Sequence, residues 1–305
     1  MINFDDMKQA NVYLIGLGAI GATYASMAHD AGLHFSIICN PERKQRYERN
    51  GFTVNGKTYN FNYVTEPFEE VDLIFVVVKD RQLIEAIEEI KPYLSSNTTI
   101  VSLMNGITSE QIIMEKLGTK NVIHAFSMAT DGVREGSDIH YTSKGKIVFG
   151  HLLPEQNVFA EKTEIILAQT GIPNERVDNI LYRQWWKFMT NVGINQVSTL
   201  LRCTYRAFQS KTHAVAISRA AMREVLAISQ KINVGLTEKD IDFTFEIMEK
   251  MGPEGKTSML QDVEAGRTTE VDMFAGEVMR LGKQHGIQTP VNEMLFHAIS
   301  HFDNG

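Results

Sequence analysis

Residues 11–28 constrain the fold more than any other stretch of this chain. Asn11-Val12-Tyr13-Leu14-Ile15 is a short apolar run, Gly16-Leu17-Gly18-Ala19-Ile20-Gly21 follows at once, and a helical pattern continues through Ala28. A G-x-G-x-x-G hexapeptide alone is common. Between a strand and a helix it is the fingerprint of a dinucleotide-binding βαβ unit. Gly16 then makes the tight turn, Gly18 lets a pyrophosphate approach the backbone, and Gly21 allows close helix–strand packing. Leu17, Ala19 and Ile20 complete the loop, whose free N–H groups at the helix start receive the phosphates.

The rest of the first half keeps alternating strand and helix. His34 to Cys39 reads as the second strand. At its end an NAD enzyme usually carries Asp or Glu for the ribose hydroxyls, and an NADP enzyme nearby arginine. Here stand Asn40, Arg43 and Lys44. Neutral Asn40 does not repel a 2′-phosphate and Arg43 or Lys44 can pair with one, so NADP is expected, with NAD as the alternative. Phe52 to Tyr63 alternates around Asn55-Gly56, a hairpin signal. Val71 to Val78 is a buried-strand run ending in Lys79, Asp80, Arg81 and Gln82. Leu83 to Leu94 is an amphipathic helix. Thr99 to Met104 is another strand, ending in Asn105. Lys79, Gln82 and Asn105 thus fall at the C-terminal edge of a parallel sheet, where ligands bind. Val122–Ser127 and Lys146–Gly150 read as further strands. His124 and His140 lack an evident carboxylate partner in the sequence.

The pattern changes class near residue 177. Gly171-Ile172-Pro173 breaks a helix, and from there the chain is almost all helical. The expectation is an α/β fold with an N-terminal Rossmann-type doubly wound parallel sheet over residues 1–176 and an all-helical C-terminal domain over 177–305. The central helix, Trp185 to Asn195, is apolar around most of its circumference, as a core helix is. Lys187, Asn191 and Asn195 interrupt it at i, i+4 and i+8, on one face drifting about 40° per step. A lysine in apolar surroundings is costly unless paired, and its pKa is easily moved, which suits acid–base work. The bland alternative is a lysine that snorkels to water. Ser258-Met259-Leu260-Gln261 has capping-box spacing, so Ser258 either caps a helix or offers its hydroxyl to a carboxylate. Glu270 begins the next helix, where a carboxylate suits the dipole.

These pieces, taken in order, resemble the ketopantoate reductase family. The matching stretches are Gly16–Gly21, Val78-Lys79-Asp80-Arg81-Gln82, Leu103-Met104-Asn105-Gly106-Ile107, Trp186–Asn191 with Ile194-Asn195, and Ser258–Asp262 followed by Thr269-Glu270-Val271-Asp272. The resemblance implies reduction of the ketone of 2-dehydropantoate to (R)-pantoate by hydride from NADPH. It makes Lys187 the general acid and Glu270 the carboxylate that orients it. It gives Asn191, Asn195 and Ser258 the substrate's hydroxyl and carboxylate, and puts Asn105 between nicotinamide ribose and substrate. Lys79 and Gln82 become the cofactor-side loop, and the site lies in an interdomain cleft. Two departures stand out. Asn40 replaces a common arginine, and Arg202-Cys203-Thr204-Tyr205 replaces a segment that offers another asparagine. Relatives of the family reduce other branched or aromatic 2-oxo acids with NADH to D-2-hydroxy acids, the alternative enzyme. A β-hydroxyacid dehydrogenase and a non-enzymatic NAD(P) sensor are further rivals; the sensor has no need of Lys187 with Glu270.

Composition bounds the partners. The net charge is −7 and no basic tract exists, which argues against nucleic acid as a partner. No apolar run approaches a membrane span, the acidic N-terminus lacks a signal-peptide core, and Cys39 and Cys203 form no motif. A cytoplasmic enzyme with a small 2-oxo acid as substrate and no metal is therefore expected. Met- and Phe-rich faces in the helical half, such as Phe243, Phe245, Met273 and Phe274, are either core or a homodimer surface.

Overall fold

In the computed structural model, which describes residues 10–210 and 212–303, contacts divide the chain into two units meeting at Ile180/Leu181. The acidic start Met1–Asp6 lies outside the described residues.

The first unit is built on an eight-stranded sheet. Its strands, in chain order, are β1 (Val12–Ile15), β2 (Phe35–Ile38), β5 (Asn62–Val64), β6 (Leu73–Val76), β7 (Thr99–Ser102), β8 (Val122–Thr130), β11 (Lys144–Gly150) and β12 (Asn174–Arg176). Their spatial order is β12-β11-β8-β7-β6-β1-β2-β5. From β5 to β8 every pairing is parallel. All four residues of β1, β2, β6 and β7 are buried, because helices cover both faces of a parallel sheet. The expectation of a parallel sheet needs one amendment: β11 runs antiparallel to β8. The crossover helices are α1 (Ala19–Asp30), α2 (Pro41–Asn50), α3 (Leu83–Ile90) and α4 (Ser109–Leu117), and α5 (Asn157–Gln169) joins β11 to β12.

Asn55-Gly56 does turn a hairpin between β3 (Phe52–Val54) and β4 (Lys57–Tyr59), both residues having positive φ. This hairpin joins β9 (Val133–Glu135) and β10 (Asp138–His140) in a second, four-stranded sheet. The periodicity does not reveal that sheet, since β3 pairs β10 across more than eighty residues of chain.

The second unit is helical: α6 (Ile180–Thr190), α7 (Gln196–Leu201), α8 (His213–Lys231), α9 (Glu238–Lys250), α10 (Ser258–Glu264), α11 (Glu277–His285) and α12 (Pro290–Asp303). Thr237 starts α9 through a capping box with Asp240. Two departures from regular helix were not expected. A turn of π-helix, Asn191–Asn195, separates α6 from α7, and a second, Asp272–Gly276, precedes α11. Such widened turns are rare and concentrate at functional sites.

Candidate active site

The glycine loop separates what the protein needs from what it leaves open. Gly16 has φ +103°, and a Cβ there would lie 2.3 Å from the Val77 carbonyl oxygen. A Cβ on Gly21 would lie 2.0 Å from the Gly16 oxygen. Both glycines are therefore demanded by internal packing. Gly18 is different: its φ of −75° suits any residue, and a Cβ would meet nothing within 4 Å. Among the described residues nothing explains that glycine, and the bare backbone leaves room for a ligand to approach. The start of α1 has neither a side-chain cap nor an acidic residue in its first turn, so its N–H groups suit an anion.

Arg134 was not anticipated. Its guanidinium donates through Nη1 to the Leu17 carbonyl and through Nε to Gly136 O at 2.7 Å, and lies 5.2 Å from the Phe52 ring centre. Burial holds its pKa below the ordinary arginine value, with Arg46 adding to the effect. The fold brings it to the loop through the second sheet, a pairing too remote in sequence to foresee.

At the end of β2, Asn40 is the N-cap of α2: its Oδ1 accepts from Arg43 N at 2.8 Å. The Arg43 side chain turns to α3, donating to Glu85 Oε1 at 2.8 Å and Glu89 Oε1 at 3.2 Å. Lys44 faces Glu48 at 3.9 Å. Both cations expected to meet a 2′-phosphate thus already face carboxylates. Burial raises the pKa of Glu89, opposed by Arg43.

Lys79 and Gln82 are exposed just past β6, and Asn105 is half-buried past β7. The loop carrying Asn105 is closed at its base: Ser102 Oγ and Ser109 Oγ lie 2.8 Å apart, and Ser109 donates to Glu110 Oε2 at 2.9 Å. Glu110 is buried, with Oε1 at 4.0 Å from His124 Nδ1. His124 therefore does have a carboxylate neighbour, contrary to the sequence reading. Residues 110 and 124 are joined by adjacent α4 and β8, which spacing cannot show.

In the second unit one helical surface gathers the expected residues. From Gln184 to Thr199 every residue is buried except Lys187, Thr190, Asn191 and Asn195, which are half-buried. These four lie at i, i+3, i+4 and i+8, a polar stripe on an otherwise internal helix. The stripe is not carried by a regular α-helix, as assumed, because the π-turn spans its second half. A wider turn advances less angle per residue, which counters the 40° drift.

Ser258 is exposed at the first position of α10, and the helix is capped by its neighbour: Thr257 Oγ1 accepts from Leu260 N at 3.3 Å. The capping reading thus belongs to Thr257. The preceding turn, residues 253–257, is held by Tyr205 N and Arg206 N, which donate to Gly255 O and Pro253 O at 2.9 Å. The Tyr205 hydroxyl donates to Lys256 O at 3.2 Å, and its ring lies where a side chain on Gly255 would be. Tyr205 therefore braces this turn. Glu270 is buried at 9% exposure; beside it, Thr269 donates through N and Oγ1 to the Asp303 carboxylate, both at 2.8 Å.

Fold and loop define the class: a Rossmann-type nucleotide-binding unit followed by a helical unit. The ketopantoate reductase PanE/ApbA family profile matches residues 12–154, and its C-terminal counterpart matches residues 179–303. The chain belongs to this family, and is a nicotinamide-dependent oxidoreductase. It is 25% identical to the 2-dehydropantoate 2-reductase of Pyrococcus abyssi over 294 residues, 94% of this chain and 96% of that one. To the enzyme of that name from Archaeoglobus fulgidus it is 23% identical, over 98% and 100% of the two chains. Among solved structures, D-mandelate dehydrogenase with NADH and anilino(oxo)acetate superposes with a TM-score of 0.86 at 23% identity, covering 96% of this chain and 98% of that one. A PanE/ApbA family ketopantoate reductase from Ralstonia eutropha gives 0.80 at 24%, with the same coverage.

Proposed function

We propose that the protein is a 2-dehydropantoate 2-reductase with Lys187 as its general acid. The observation that carries this reading is the polar stripe of Lys187, Thr190, Asn191 and Asn195, the half-buried positions in a stretch, Gln184 to Thr199, whose other residues are buried. The stripe sets an ammonium and two amides on one half-buried line, the arrangement the family resemblance requires of a general acid beside substrate-holding amides. Gly16–Gly21, with Lys79, Gln82 and Asn105 along the same sheet edge, would hold the dinucleotide, which would supply hydride for the ketone carbon. The Lys187 ammonium stabilises the charge that develops on the ketone oxygen and gives it a proton. Glu270 orients the ammonium, and Asn191, Asn195 and Ser258 hold the substrate's hydroxyl and carboxylate.

A specific observation favours a second reading of the cofactor and substrate. With Asn40 spent as a cap and Arg43 held by Glu85 and Glu89, a 2′-phosphate has to compete with carboxylates. That favours NADH, and with it a D-2-hydroxyacid dehydrogenase of the same family acting on another branched or aromatic 2-oxo acid.

Initial rates of NADPH and NADH oxidation with 2-dehydropantoate, 2-oxoisocaproate and phenylglyoxylate decide between the two. Fast 2-dehydropantoate turnover supports the first reading. Preference for NADH with a bulkier acid supports the second, and no oxidation with any of them counts against both. Lys187→Ala is expected to abolish turnover while dinucleotide binding, followed by fluorescence, stays unchanged. Equal loss of both would count against a general acid at this position.

A further inference from the structure

The two π-turns share one side chain. In an unbroken α-helix the Val192 carbonyl accepts from the backbone N–H of residue 196. A π-turn over Asn191–Asn195 shifts that bonding by one residue, so Val192 O needs another donor. It finds one in Gln196 Nε2, at 2.8 Å. In the second π-turn, Val271 O accepts from Gly276 N at 3.0 Å, five residues on. The N–H of Ala275, which an α-helix would direct to Val271 O, donates to Gln196 Oε1 at 3.0 Å. One buried amide thus gives a donor to one widened turn and an acceptor to the other. Its orientation is fixed, because rotating the amide would set N–H against N–H and oxygen against oxygen.

The neighbourhood holds that amide in place. Gln196 Nε2 also donates to Asn292 Oδ1 at 3.2 Å. Asn292 Nδ2 in turn donates to Glu224 Oε2 at 2.7 Å and Ala221 O at 3.2 Å. The Glu224 carboxylate accepts from Val291 N and Asn292 N at the start of α12. Ser218 Oγ donates to Gly193 O at 2.9 Å, so the next carbonyl of the first π-turn also has a side-chain donor. The π-turns are therefore built into the fold. They fall where the proposed chemistry sits: the first is bounded by Asn191 and Asn195, and the second begins two residues after Glu270.

We infer that Gln196 is a positioning residue, which holds both π-turns open and sets the stripe of Lys187, Asn191 and Asn195 in register with Glu270. This rests on the assignment of Lys187 and Glu270 to the reaction. Removing the amide leaves Val192 O and Ala275 N–H buried without partners, and favours closure of each turn to α-helix. Closure moves every residue beyond it by about 100° around the axis.

The test compares Gln196→Leu, Lys187→Ala and the core truncation Leu236→Ala, all in the full chain and well below their melting temperatures. Gln196→Leu is expected to lower kcat on the order of 10- to 100-fold, the scale of an ångström-sized misplacement, and to raise KM for the 2-oxo acid, while KM for the dinucleotide stays within twofold. Leu236→Ala lowers the melting temperature but leaves kcat near wild type. Should Gln196→Leu keep wild-type kcat and KM while Lys187→Ala is inactive, the positioning role is overturned and the general-acid reading stands. Should Lys187→Ala itself turn over normally, the general-acid reading is what fails. If the truncation lowers kcat as much as Gln196→Leu does, Gln196 is only structural.

Discussion

At the level of single residues, the cofactor question reduces to four side chains that the sequence placed together only in part. Arg43 beside Asn40 is legible as a cation near the ribose. Its engagement by Glu85 and Glu89 is not, because α3 lies more than forty residues on. We predict that Glu85→Gln with Glu89→Gln lowers the Kd for NADPH at least several-fold and changes that for NADH little. Ordinary charge pairs at this exposure are worth about 0.2–1 kcal/mol each, so a much larger gain is not expected. Unchanged NADPH binding would remove Arg43 from the account. Glu89 also makes a pH prediction. Its folded pKa is raised above 4.5 by burial, so it binds its proton more tightly folded than unfolded. Its contribution to stability is full below the unfolded pKa and is lost as pH rises through the folded one. Urea midpoints should therefore fall less, from pH 4 towards 7, in Glu89→Gln than in wild type.

At the level of elements, most of the first unit could be read before the structure, because strand–glycine–helix signals are local. The hairpin at Asn55-Gly56 and the buried strands follow from turn chemistry and periodicity. The antiparallel β11, the second sheet carrying Arg134 and both π-turns did not, since each depends on partners distant in sequence. A π-turn has no local signature: Asn191-Val192-Gly193-Ile194-Asn195 reads equally as α-helix, and only Ser218, Gln196 and Met222 make the widened turn favourable. Gly193 is telling in hindsight, as a Cβ there would lie 2.4 Å from Met222 Cε. The glycine loop gives a prediction at this scale. Gly18→Ala meets no atom within 4 Å and has ordinary φ, so the melting temperature should hold while the dinucleotide Kd rises at least tenfold. Gly16→Ala combines positive φ with a backbone clash and should cost about 1–3 kcal/mol or more of stability. Equal destabilisation by both would mean that Gly18 serves the fold, not a ligand.

At the level of the whole molecule, the residues assigned to the dinucleotide fall before Ile180 and those assigned to the 2-oxo acid fall after it, apart from Asn105. Among the described residues no helix is long and apolar enough to cross a membrane. The order of the motifs along the chain was legible, and so was the change from alternating strands to helices. The sequence reading also assigns the dinucleotide to the first part of the chain and the 2-oxo acid to the second, and that division is open to test. A ligand at about 100 times its Kd stabilises the state that binds it by about 2.7 kcal/mol. Hydrogen exchange can show where that protection falls. Dinucleotide alone should slow exchange in residues 16–22 and in the segments after β6 and β7, and leave residues 190–196 and 271–276 unchanged. Adding an unreactive 2-oxo acid analogue should then slow exchange in those two π-turns, because fixing Asn191, Asn195 and Glu270 restrains the turns that hold them. Protection of the π-turns by dinucleotide alone would overturn this division of labour, and would mean that the helical unit takes part in holding the cofactor.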